Sequence, residues 1–195
     1  AAPEFEALND QRLAGLELGV GEDAIRRALA GFQGIGRRFV VHRIRDAAGR
    51  AVVLVDDYGH HPRELAATME AIREGWPQRR LVLVFQPHRY SRTQEQFEDF
   101  VQVLSGADVL ILCEVYAAGE EPVPGADGRA LSRAIRVRGE RDPVFVRELA
   151  EVPGVLANLL ADGDLVLTSG AGDIGALAAR LPDLLQRGEG VGHGR

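Results

Sequence analysis

Along most of the chain, two hydrophobic rhythms alternate. Short runs apolar almost throughout (AVVLV, RLVLVFQ, DVLILCEVY, PVFV and DLVLTSG) are separated by segments whose apolar residues return every three or four positions. The first rhythm suits strands buried on both faces, the second amphipathic helices. The spacing predicts strands over 51–56, 80–86, 108–116, 143–146 and 164–170. Each is followed by a helix: from Pro62 to about Arg73, then near 94–104, 129–138, 147–160 and 173–185. Before the first of these strands, RRFVVHRI and RAVVLVDD flank RDAAG, the pattern of a β-hairpin.

Strands that alternate with helices in this way predict an α/β fold, a mainly parallel sheet with helices on both faces and right-handed crossovers. That architecture is Rossmann-like. Pro62 suits a first helical position, where its missing N–H costs little. Thr93 with Gln96 three residues on matches a capping box, and Phe97, Phe100, Val101 and Leu104 then share one helical face. Residues 1–34 read differently, as short helices anchored by Leu13, Leu16, Ile25, Leu29 and Phe32. GIGRRF (34–39) reads as a hinge, and the glycine-rich end from about residue 186 as a flexible tail. The expected organisation is a helical segment over 1–34 and an α/β domain over 35–195.

Composition narrows the chemistry. The 195 residues are 46% hydrophobic, enough for a core, and the net charge of -6 disfavours a general nucleic-acid binder. One cysteine, Cys113, excludes an internal disulfide, and no apolar run approaches the ~20 residues that span a bilayer. The expectation is a cytoplasmic protein that binds neither nucleic acid nor membrane. There is no lysine, so every side-chain cation other than histidine is arginine. A P-loop lysine and a Schiff-base lysine are therefore both excluded from this chain.

Four polar clusters fall at predicted carboxyl ends of strands, where open parallel sheets bind ligands: DDYGHHP (56–62), QPHRYSRT (86–93), EVYAAGEEP (114–122) and TSGAGDIG (168–175). DDYGHHP admits three readings. It can be a helix-start turn in which Asp56 or Asp57 bonds backbone N–H groups, or a zinc site, poorly served by adjacent histidines without further ligands. It can also be a binding turn in which Asp57 accepts hydrogen bonds from a ribose diol while His60 faces a substrate. QPHRYSRT brings His88, Arg89 and Arg92 to a helix start, a setting for a carboxylate or phosphate. GAGDIG has the G-x-G-x-x-G spacing but follows the last long strand, so close helix–sheet packing, or backbone approach to a ligand edge, suits it better than a dinucleotide. EVYAAGEEP is by default a solvated loop.

Taken in this order, GFQGIGRRF, VDDYGHHPRE, FQPHRYSRT, EVYAAGEEP and TSGAGDIG resemble the C-terminal part of the Mur ligases, over about residues 17–181. PHRYSRT is similar to the branch that adds L-alanine. The resemblance implies a C-terminal domain of an ATP-dependent ligase of peptidoglycan precursor synthesis. It implies L-alanine, ATP with Mg²⁺, and UDP-N-acetylmuramate as the ligands of the full-length protein, the ATP and Mg²⁺ held mainly by a central domain. By position, Arg38, Asp57 and Tyr58 resemble nucleotide-binding residues. His60, His88, Arg89 and Arg92 resemble the pocket for the L-alanine carboxylate. No metal ligands are expected within this chain. The chain is expected to be a fragment without turnover of its own; the alternative is a stand-alone module that binds a nucleotide or amino acid.

Overall fold

The computed structural model describes residues 37–139 and 141–188. The helices expected over 1–34, and the chain beyond 188, lie outside the described residues. Among the described residues six strands form one sheet: β1 Val40–Arg45, β2 Ala51–Asp57, β3 Leu81–Phe85, β4 Val109–Cys113, β5 Val144–Val146 and β6 Leu165–Ser169. Their spatial order is β1-β2-β6-β3-β4-β5. Only β1 runs antiparallel, paired with β2 from Val40 opposite Asp56 to Arg45 opposite Ala51, which is the expected hairpin. Asp46 shapes its turn by accepting the N–H groups of Ala48 and Arg50 and the Arg50 guanidinium.

The helices are α1 Pro62–Gly75, α2 Tyr90–Glu95, α3 Phe97–Leu104, α4 Gly128–Arg138, α5 Val152–Leu159 and α6 Ile174–Arg187. Alternate residues of the central strands feed two cores. Leu81, Leu83 and Phe85 of β3 pack with Leu65, Phe100 and Leu131 of α1, α3 and α4. Val82 and Val84 point the other way, toward Leu156 of α5 and Leu181 of α6. From β2 to β5 the chain steps outward with its helices on one face. It then returns by α5, on the other face, to place β6 between β2 and β3. That return brings the carboxyl ends of β2, β6, β3 and β4 side by side.

Two helical segments differ from the sequence expectation. The helix expected near 94–104 is two helices, broken at Gln96, whose φ of -118° and ψ of 26° leave the helical region. Thr93 is not an N-cap: it is buried inside α2, and its hydroxyl donates to the carbonyl of Arg89 at 2.8 Å. The segment after β5 begins with a 3₁₀ turn, Leu149–Glu151, before α5. No helix among the described residues is long and apolar enough to cross a membrane.

Candidate functional site

The rim is joined by hydrogen bonds between the strand-end loops. The amide of Gln86, just past β3, donates to Asp173 at 2.6 Å and accepts from the N–H of Ile174 at 3.0 Å. Ser169, ending β6, donates to the carbonyl of Gly59 at 2.6 Å. Tyr116, past β4, donates its N–H to Pro87 and accepts that of Arg89, both at 2.9 Å. The four clusters thus form one surface, as the order of strand ends implied.

In DDYGHHP the two aspartates face opposite ways, as neighbours on a strand do. Asp56 receives Arg37 in a two-pronged pair at 2.9 and 3.1 Å and the Thr168 hydroxyl at 2.9 Å. Asp57 accepts the N–H of Gly59 at 2.7 Å, the hydroxyl of Thr68 at 3.3 Å and the N–H of Phe39 at 3.1 Å. A carboxylate has about four acceptor positions, so Asp57 retains room for one more donor rather than both arms of a diol. Capping of α1 falls to His61, whose Nδ1 accepts from the N–H of Arg63 at 3.3 Å, and to Glu64, which accepts the N–H groups of His60 and His61. Burial pushes the Glu64 carboxyl up, but those two N–H bonds together with nearby His60 and Arg38 outweigh it and hold the group below its ordinary range. His60 turns the other way, toward His88. Among the described residues no group of three or more His, Cys, Asp or Glu could hold a metal ion.

At QPHRYSRT the backbone of Arg89 takes the left-handed region, φ 71°, just ahead of α2. Helix dipole and arginines together were expected to make an anion site. Glu120 instead already fills the helix end, accepting the N–H of Ser91 at 3.0 Å and its hydroxyl at 2.6 Å. The guanidinium groups remain available. Arg92 lies 3.4 Å from Nδ1 of His88, and neither Arg89 nor Arg92 is in an ion pair among the described residues. Burial pushes the His88 imidazole below its ordinary pKa, and the positive charges of Arg92, His60 and Arg89 push the same way. Among the described residues the pocket is electropositive, with Glu120 as a nearby acid.

A row of four rings crosses this rim. Tyr58 meets His60 edge-on at 5.2 Å, His60 meets His88 edge-on at 5.6 Å, and His88 stacks on Tyr116 at 5.6 Å. Arg37 lies 5.7 Å over the Tyr58 ring, while Arg38 is exposed near Glu64. Of the sequence candidates, His60, His88, Arg89 and Arg92 come together, with Tyr58 and Asp57 on the same turn. Arg37, Gln86, Tyr116 and Glu120 were missed. Only the placement of Gln86, Tyr116 and Glu120 in strand-end clusters hinted at them. Gly172 shows how tightly the glycine-rich loop packs: an added Cβ would lie 2.6 Å from Tyr116 and from Gln86. That is close packing between strand-end loops rather than between helix and sheet.

Residues 23–172 match the family model described as Mur ligase, glutamate ligase domain. The chain is 60% identical over 169 residues to the UDP-N-acetylmuramate–L-alanine ligase of Methylococcus capsulatus, covering 87% of this chain and 36% of that protein. It is 62% identical over 175 residues to the protein of that name from Halorhodospira halophila, covering 90% and 36%. Among solved structures, the UDP-N-acetylmuramate-alanine ligase of Thermotoga maritima superposes with a TM-score of 0.67 at 25% identity, over 91% of this chain and 36% of that one. The chain thus spans about a third of the length of these relatives.

Proposed function

The chain belongs to the Mur ligase family through its glutamate ligase domain, and on that premise we propose that it is the C-terminal part of an ATP-dependent ligase joining L-alanine to UDP-N-acetylmuramate. The observation that carries this reading is the pair Arg89 and Arg92 beside a His88 held toward its neutral form, with no ion-paired acid among the described residues. Two guanidinium groups without carboxylate partners suit an incoming carboxylate, which each can grip through two N–H donors. An amino acid held by that end leaves its amine free to attack.

In the proposed reaction the muramyl carboxylate is first activated as an acyl phosphate, with ATP giving ADP. The amine of L-alanine then displaces phosphate. Arg89 and Arg92 fix the carboxylate while His60 and His88 line the pocket, so the nucleophile is delivered by position. Tyr58 offers a half-exposed ring and Arg38 an exposed cation to the nucleotide. Asp57 adds one acceptor position. ATP and Mg²⁺ would be held mainly by the longer protein, and the domain would close over them carrying the amino acid. A reaction that consumes ATP in precursor synthesis suits a protein of the cytoplasm.

The test is ADP release by the full-length parent protein. Release that requires both L-alanine and UDP-N-acetylmuramate, with none from this chain alone, is the expected result. Release indifferent to L-alanine overturns the reading.

A further inference from the structure

Two imidazoles line the amino-acid pocket, and their hydrogen-bond partners set them in opposite tautomers. Nδ1 of His60 lies 3.1 Å from the carbonyl oxygen of Tyr58 and 3.6 Å from Oε2 of Glu64. Both oxygens can only accept, so Nδ1 carries the hydrogen in the neutral ring. The lone pair is then on Nε2, which has no partner among the described residues. His88 is the reverse. Its Nδ1 faces Nη1 of Arg92 at 3.4 Å, and a guanidinium can only donate. Neutral His88 therefore holds its hydrogen on Nε2 and has its lone pair occupied. Of the two rings, 5.6 Å apart, only His60 offers a proton acceptor.

We propose that His60 is the general base of the ligation, taking a proton through Nε2 from the α-ammonium of the amino acid whose carboxylate Arg89 and Arg92 hold. This rests on the amino-acid ligase reading above. An amino acid at neutral pH arrives as an ammonium, which has no lone pair and cannot attack. Transfer of one N–H proton to Nε2 frees the nitrogen lone pair, which forms the C–N bond to the acyl carbon. The C–O bond to phosphate breaks, phosphate leaves with that electron pair, and its oxygens take the second N–H proton from the new amide nitrogen. The imidazolium later gives its proton to water.

The surroundings suit this role. Glu64 from α1 sits 3.6 Å from Nδ1, which keeps that nitrogen turned to the helix start and Nε2 to the pocket. Tyr58 fixes the ring from the same turn, by its carbonyl and its edge-on ring. From across the rim His60 faces His88, which is itself surrounded by Arg89, Arg92 and Glu120; Arg38 lies beyond Glu64. The side chain is 20% exposed, so it is held but reachable. A base of this kind contributes typically 10²–10⁴-fold.

Two measurements test the assignment. His60→Asn in the full-length protein keeps a side-chain N–H near the Nδ1 position for the Tyr58 carbonyl but has no base. The expected result is a kcat lowered about 10²–10⁴-fold near neutral pH, with the KM for L-alanine little changed. The deficit should shrink as rising pH supplies free amine, and added imidazole should restore part of the rate. A normal kcat, or a deficit equal at every pH, overturns the proposal. Nitrogen-15 NMR of this chain reads the tautomers directly. Neutral His60 protonated on Nδ1 and neutral His88 on Nε2 support the assignment, and His60 protonated on Nε2 overturns it whatever the assay gives. Failure of the unaltered parent to require L-alanine would instead overturn the ligase reading, leaving the tautomer result to stand by itself.

Discussion

The guanidinium of Arg37 holds both carboxylate oxygens of Asp56, at 2.9 and 3.1 Å, and reaches on to the carbonyl of Gly170 at 2.8 Å. One side chain thereby ties the start of the described chain to the ends of β2 and β6. The carbonyl of Arg37 accepts the Tyr58 N–H, and Asp57 accepts the N–H of Phe39, so the DDYGHHP turn is built against residues 37–39. Phe39 also stacks on Trp76 at the far end of α1.

Replacing Arg37 with alanine removes three donors and leaves a mostly buried Asp56 carboxylate with only the Thr168 hydroxyl. Charge-assisted hydrogen bonds contribute about 1.5–3 kcal/mol each, but the pair is partly solvated, so a loss of about 1–3 kcal/mol is expected. Urea denaturation of this chain measures it. Asp56→Asn should cost less, because the amide oxygen still accepts, and a variant as stable as the parent would show that the clamp is idle.

Arg89→Ala and Arg92→Ala should each raise the KM for L-alanine in the full-length protein about tenfold to a hundredfold, from the loss of one charged hydrogen-bonding group. The KM for UDP-N-acetylmuramate should barely move, and steady-state kinetics with each substrate varied in turn decides it. Equal rises in both constants would point to a general structural loss rather than a carboxylate grip.

How much could be read from residue order follows from range. β2, β3 and β6 were legible because a strand buried on both faces is apolar at nearly every position, and nothing remote is needed to see that. The rim was legible too, since parallel strands separated by helices place all their carboxyl ends on one side. The break at Gln96 was not: Thr93 and Gln96 imitate a capping box, while the true helix start is fixed by the left-handed backbone of Arg89 and by Glu120, 29 positions from Ser91. Asp56 and Asp57 look equivalent in sequence. Strand pleating separates them, one toward Arg37 and one toward Phe39. The reach of Arg37 to Gly170 spans 133 positions, beyond any local pattern.

His88 makes stability depend on pH in a defined direction. Its folded pKa lies below the ordinary 6.5, so between the two values the unfolded chain binds the proton more readily than the folded one. Stability from this group is complete above about pH 6.5 and is lost as pH falls below that value toward the folded pKa. The urea midpoint should therefore drop on acidification through this window, and His88→Gln should flatten that part of the profile. An unchanged slope in the variant would assign the effect to other groups.

Gly172→Ala links the glycine-rich loop to the proposed amino-acid pocket. The added Cβ would lie 2.6 Å from Cγ and 2.7 Å from Cβ of Tyr116, atoms near the backbone that cannot swing aside, and 2.6 Å from the Gln86 amide oxygen. Overpacking of this kind costs about 1–3 kcal/mol. Relief requires Tyr116 to move, and Tyr116 stacks on His88 while its backbone bonds Pro87 and Arg89. The strain should thus pass into the pocket that holds Arg89 and His88. In the full-length protein the expected outcome is a higher KM for L-alanine alongside a lower urea midpoint. Gly119→Ala supplies the contrast. Unlike Gly172, that glycine has positive φ, 87°, and nothing lies within 4 Å of an added Cβ, so it should carry backbone strain alone. If the two variants raise the KM equally, loop strain rather than displacement of Tyr116 is responsible, and the packing of Gly172 against the ring does not govern the pocket.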